Sequence, residues 1–178
     1  MKFDLKNILS VVLVTALVGI GVTLAFRAFS QLEEAAQARQ QTGGSIRAAG
    51  TVLSELKDAE TGERGYCLTG NTLFLEPYLN VRDHLRGKLQ ALRAQPMADS
   101  ARPHLDAIVP LLDAKMAELA QVIALRDTGD TAAVTEMISN GPGKRLMDAI
   151  RAEIQAFITL QEAEATRCFR LPQTATIR

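Results

Sequence analysis

Few residues in this chain have both the type and the spacing for chemistry. Gly141-Pro142-Gly143-Lys144 has the look of a phosphate loop. However, the G-x-x-x-x-G-K-[ST] pattern is absent, Arg145 follows the lysine and no strand precedes it, so the stretch reads as a turn leading into a helix. His84 and His104 are the only histidines; neither belongs to an H-E-x-x-H pair, and both read as solvated helix residues. Cys67 and Cys168 lack C-x-x-C spacing, and two cysteines cannot form a four-ligand zinc site. No serine lies in a nucleophile elbow, and the acidic residues are scattered without an evident acid and base pair. The expectation is a non-enzyme with no catalytic residue, no metal and no cofactor.

One stretch is unusual. Asp58 to Gly70 reads D-A-E-T-G-E-R-G-Y-C-L-T-G. Gly62 and Gly65 lie three apart where the chain should be helical, and each costs up to about 1 kcal/mol relative to Ala. Being nearly on one face, they would let a neighbouring backbone approach closely. Glu60 and Arg64 stand i,i+4 in the favourable order, worth a few tenths of a kcal/mol if exposed. An inward-turned Arg64 would need a buried carboxylate, from Glu60 or Asp148. Composition alone makes this a helix end and turn; the alternative is a packing and signalling joint between helices.

The elements that must position these residues are helices. Of 178 residues 47% are hydrophobic but only 4% aromatic, with no Trp, which favours helices over a β-sandwich. Lys+Arg and Asp+Glu are 20 each, and this balance argues against nucleic acid as a partner. Ile8 to Phe26 carries no charge over nineteen residues. At about 1.5 Å per residue this spans roughly one bilayer core. It is longer than a signal-peptide core, and the first A-x-A site, Ala36-Gln37-Ala38, lies ten residues past Phe26, so an uncleaved anchor is expected. Lys2 and Lys6 precede it while Arg27 is followed by Glu33 and Glu34, so the N-terminus is expected in the cytoplasm.

Beyond Phe26 no alternating strand pattern appears, and four stretches show helical spacing. The first carries Ile46, Ala49, Leu53, Leu56 and Glu60, with Gly43-Gly44 as a possible bend. The second, capped by Asn71-Thr72, carries Leu75, Tyr78, Leu79, Arg82, Leu85, Leu89 and Leu92. The third, capped by Asp99 or Ser100, carries Leu105, Ile108, Leu112, Met116, Leu119 and Ile123, with Pro110 expected to kink it. Thr128-Gly129-Asp130 ends it and caps a short helix, and the last carries Leu146, Ile150, Ile154, Phe157 and Gln161. These stripes are those of a bundle core.

The words around the unusual stretch resemble those of a known family, the third type of CHASE domain. Ala59 to Gly70 is similar to its signature, with Cys67 where Leu is usual; Leu75-Glu76-Pro77-Tyr78, Leu119 to Arg126, and Gly143-Lys144, Met147-Asp148 and Ile150-Arg151 match later blocks in order. The resemblance covers roughly residues 28–168. It implies an all-α protein: one N-terminal transmembrane helix and an up-down four-helix-bundle-like extracytoplasmic domain that senses signals for histidine kinases, diguanylate cyclases or chemoreceptors. The expected organisation is a cytoplasmic 1–7, a membrane helix 8–26, a sensory domain 28–168 and a short tail 169–178. The protein is expected in the inner membrane, single-pass, with residues 27–178 periplasmic or extracellular.

The family usually places this domain between two membrane helices, ahead of an output domain. Cys168 to Arg178 holds no second spanning run, so an input module without its own output is expected. The alternative is a free-standing single-pass protein that binds a partner receptor or an envelope component. Expected partners are the membrane, an unknown small-molecule or protein signal and a second copy as a homodimer. The expected joint comprises Glu60, Gly62, Arg64, Gly65, Tyr66, Gly70, Asp148 and Arg151. An up-down arrangement would hold Cys67 and Cys168 roughly 40 Å apart, so no bridge between them is expected.

Overall fold

The computed structural model describes residues 5–170, with side chains from Leu9 to Arg167 other than Val11. The described residues are helical, with no strand among them. Helix α1 runs from Leu5 to Thr69. A 3₁₀ turn, Thr72–Leu75, leads to α2 (Glu76–Arg82) and α3 (Leu85–Arg93). Then come α4 (Arg102–Asp127), the short α5 (Thr131–Ser139) and α6 (Pro142–Arg170).

The chain divides into two units, residues 1–40 and 41–178. In the first, the large apolar side chains are exposed all round the helix, from Leu9 and Val12 through Phe26, Phe29 and Leu32. None of its most apolar window is buried within the protein. A helix that is apolar on every face and unburied needs an apolar solvent, and its length suits a bilayer.

In the second unit, cross-helix pairs fix the directions. Arg86 pairs with Asp113 and Arg93 with Asp106, so α3 and α4 run antiparallel. Lys115 pairs with Glu60 while Tyr66 bonds Asp127, so α1 and α4 run parallel. His104 meets Glu153, and Gly143 at the start of α6 lies against Lys115 and Glu118, so α4 and α6 run antiparallel. The result is an up-down bundle, as the family resemblance implies, with the stripes forming its core. Its core holds Val52 and Leu56 of α1, Leu85, Leu89 and Leu92 of α3, Leu105, Ile108, Leu112 and Leu119 of α4, and Ile150, Ile154 and Phe157 of α6. Each such fully buried side chain contributes about 1.5–3 kcal/mol relative to exposure.

A polar tie closes one end of this core. Gln161 donates to Ser45 Oγ at 3.0 Å and accepts from the Ala98 backbone N–H at 2.9 Å. Both side chains are buried, so sliding α1 against α6 would leave polar groups without partners, at about 1–3 kcal/mol each.

Local expectations met mixed outcomes. Asp130 accepts from the Ala133 N–H as a cap, and Gly70, Gly129 and Gly141 take the positive φ that ends a helix. Helix α1, however, passes Gly43-Gly44 without a break, because its i→i−4 ladder needs no side chain there. Asn71 caps the 3₁₀ turn rather than an α-helix. The second helix is divided at Asp83-His84, and its buried face runs through Tyr78 and Val81 while Leu79 and Arg82 are exposed. Neither Asp99 nor Ser100 caps α4; the cap position is Ala101, itself fully buried, whose N–H bonds Ala98 O at 2.9 Å. Pro110 leaves α4 unbroken, because it and Asp106, whose carbonyl loses its partner, are both exposed to water. In α4 the buried line is Lys115 and Val122 where Met116 and Ile123 were expected, and in α6 Met147 is buried in preference to Leu146.

Candidate functional site

The last turns of α1 carry the unusual stretch, and most of its members are bound by another element. Gly62 and Gly65 form a bare strip on which the returning chain rests. A Cβ at Gly62 would overlap the Phe74 carbonyl oxygen, and one at Gly65 would lie 2.6 Å from the Phe74 ring. The close approach inferred from their spacing therefore occurs, with Phe74 as the approaching group. Gly70 ends the helix at φ +68, with its N–H on Tyr66 O at 2.8 Å.

Behind the strip lies a buried ionic cluster. Lys115, 1% exposed, donates to Glu118 at 2.7 Å and to Glu60 at 3.3 Å. Glu63, 3% exposed, lies beside them; burial raises its pKa above the ordinary 4.5, the neighbouring Glu118 adds to this, and Lys115 opposes it. The Cys67 thiol donates to Glu63 Oε1 at 3.1 Å, and burial first and Glu63 second push its pKa up to about 12. A cation in this position is required, since three carboxylates share a space nearly closed to water. Gly143 completes the cluster from α6: a Cβ there would fall 2.5 Å from Glu118 Oε1 and 2.8 Å from Lys115 Nζ.

Two further ties lock the end of α1 to α4. The Tyr66 hydroxyl donates to Asp127, which holds the phenol pKa above its usual 10. Arg126 donates through Nε to the Cys67 carbonyl at 2.9 Å, satisfying a carbonyl that the helix end leaves free.

The expected joint residues thus separate into two places. Glu60, Gly62, Gly65, Tyr66 and Gly70 lie at the α1 end described above. Arg64 bonds Glu60 at 2.9 Å but is 57% exposed, so it does not turn into the bundle. Asp148 and Arg151 are not brought to it: Asp148 pairs with Lys144 and Arg151, both at 2.6 Å, on the exposed face of α6. Those two cations hold the Asp148 carboxyl below its ordinary range, Lys144 foremost. Sequence reasoning missed Lys115, Glu118, Glu63 and Phe74. A signal for Lys115 exists: positions 105, 108, 112, 115, 119 and 122 repeat at heptad spacing, and Lys115 interrupts an otherwise apolar row. Cys168 has no described side chain, so its relation to Cys67 lies outside the described residues. Among the described residues no group of His, Cys, Asp or Glu is arranged to hold a metal.

A helical bundle that follows an apolar, unburied helix in the chain defines a class, that of membrane-anchored helical domains. The CHASE3 domain model matches residues 33–167, and the chain belongs to the CHASE3 domain family. It is similar to the crystal structure of the Rhodopseudomonas palustris histidine kinase HK9 sensor domain, at 26% identity and TM-score 0.62, over 70% of this chain and 98% of that one. It also shares its fold with a periplasmic sensor domain of a sensor histidine kinase, at 17% identity and TM-score 0.67, over 80% of this chain and 99% of that one. No curated protein sequence matches. CHASE3 domains are non-catalytic sensory inputs, and this chain carries such an input module on a membrane-anchored, extracytoplasmic domain.

Proposed function

We propose that this chain receives an extracytoplasmic signal at the inner membrane and passes it on by a shift of α1 against α4. In this reading residues 1–7 are cytoplasmic, 8–26 span the membrane, 28–168 form the periplasmic sensor and 169–178 a tail. Residues Glu60, Gly62, Arg64, Gly65, Tyr66 and Gly70 form the joint, and Asp148 with Arg151 steadies the exposed face of α6. The observation that carries it is the density of ties between α1 and α4 within two turns: Glu60 to Lys115, Tyr66 to Asp127, and Arg126 to the Cys67 carbonyl. Buried ionic contacts have discrete arrangements, so a shear between these helices would exchange one set for another. The chain has no catalytic role of its own, acts with a second copy, and delivers its signal to a kinase or cyclase output, as a two-component or cyclic-di-GMP receptor does.

The test is a chimera in which the full chain precedes a second membrane helix and a histidine-kinase core. Tyr66→Phe and Gly65→Ala should change autophosphorylation at unchanged protein level. An output indifferent to both substitutions would refute the joint. Alkaline phosphatase fused after Arg178 should be active, and an inactive fusion would reverse the orientation.

A further inference from the structure

Beside the glycine strip an open groove of about 880 Å³ runs between α1 and the 3₁₀ turn and α2. That size lies within the roughly 300–1,000 Å³ of small-molecule sites. None of the ties between α1 and α4 uses it. Its two ends differ chemically. Glu55 and Asp58 stand at one end, on successive turns of α1. Leu68, Leu73 and Phe74 stand at the other, 86%, 76% and 44% exposed. From Glu55 to Leu68 the helix rises roughly 20 Å. Gly65 meets Phe74 and Gly62 meets Pro77, so the opposite wall runs antiparallel and brings Asn80 toward the acidic end.

The charges of the groove are unbalanced. Glu55, Asp58 and Glu76 line it, against Arg64 alone, and Arg64 is already bonded to Glu60. Glu55 pairs with Lys88 through Oε1, while its Oε2 is buried with no hydrogen-bond partner. Lys88 therefore compensates part of the charge of Glu55, and Asp58 and Glu76 remain exposed to the groove without an ion-pair partner among the described residues.

We propose that this groove binds an organic cation, with an ammonium or guanidinium head between Glu55 and Asp58 and an apolar body lying toward Leu73 and Phe74. The head meets the excess negative charge of Glu55, Asp58 and Glu76, and the body covers exposed apolar surface. A carboxylate ligand of the same shape would face net repulsion. The proposal goes beyond the sensor reading and does not depend on it.

The test is isothermal titration of the full chain in phosphatidylcholine nanodiscs, with empty nanodiscs subtracted. The probe is 4-phenylbutylammonium, compared with 4-phenylbutanol and 4-phenylbutyrate. Saturable binding of one ammonium per chain is expected, with the alcohol about tenfold weaker and the carboxylate unbound. Asp58→Asn, at an exposed position, should weaken the ammonium about threefold, and Glu55→Gln with Asp58→Asn about tenfold. Equal binding of alcohol and ammonium, unchanged affinity in Asp58→Asn, or no saturable uptake of any probe would each overturn the proposal. If the Glu55 variant fails to fold, Asp58→Asn and a Leu73→Ala loss of affinity still decide it. A failed titration leaves the kinase chimera result standing, and a silent chimera leaves the titration standing.

Discussion

Replacing Lys115 by Met tests the central electrostatic argument. Lys115 Nζ lies 2.7 Å from Glu118 and 3.3 Å from Glu60, and the side chain is 1% exposed. With an effective dielectric of 20 these attractions are about 6 and 5 kcal/mol gross. Removing an ammonium from water offsets much of this, so the net loss on breaking the cluster is about 3–5 kcal/mol. Methionine fills the space but leaves Glu60, Glu63 and Glu118 without their shared cation. Thermal unfolding of the full chain in detergent, followed by circular dichroism at 222 nm, should show the midpoint falling by roughly 10–15 °C at pH 7.5. The deficit should narrow on acidification. Glu63 already has its folded pKa above 4.5, and Lys115 is among the groups holding it down. A carboxyl with a raised folded pKa favours the folded state as pH falls from that raised value toward 4.5. In the variant that rise is larger, so the difference from wild type should shrink as the pH falls toward 4.5. A variant melting within a few degrees of wild type at pH 7.5, or a deficit that stays constant with pH, would refute the buried-cluster reasoning.

Three further outcomes are expected. Gly62→Ala should lose about 2–3 kcal/mol despite better helix propensity, because its methyl meets the Phe74 backbone, whereas Gly50→Ala, with open space around it, should gain up to about 1 kcal/mol; chemical denaturation of the pair checks this. Arg64→Ala should cost no more than about 0.5 kcal/mol, and Asp148→Asn should leave the melting temperature unchanged, since both side chains lie at the surface. Destabilisation by Arg64→Ala comparable to that of Lys115→Met would show that the arginine holds the joint as firmly as the lysine and is not a surface residue. Cys67 should resist iodoacetamide at pH 8 in the native protein and react in urea, because its thiol pKa is about 12 and the thiolate is the nucleophile; rapid native labelling in a peptide mass map would contradict the described burial.

The sequence by itself determined the helical class and the charge-free anchor, because these follow from composition and periodicity over many residues; the up-down direction was implied by the family resemblance, and the cross-helix pairs decide it. It also determined the glycine strip: two glycines three apart in a helix are costly unless something approaches. Phe74 as the approaching group came from the tertiary fold, since a glycine pair announces space but not its occupant. Lys115 shows the limit most clearly. Its place in the apolar row of α4 was legible, as was Glu118 three residues on, yet a buried lysine is credible only when Glu60 and Glu63 are known to converge on it as well, and these come from α1. The shared signature blocks suggested joining Asp148 and Arg151 to the α1 end, but α6 turns them to water, where Lys144 completes their pairing. Helix phase is displayed only approximately by a sequence, as the rows at Val81, Lys115, Val122 and Met147 show. The pairing of buried charges depends on which helices become neighbours and at what height, and only the packed bundle decides that.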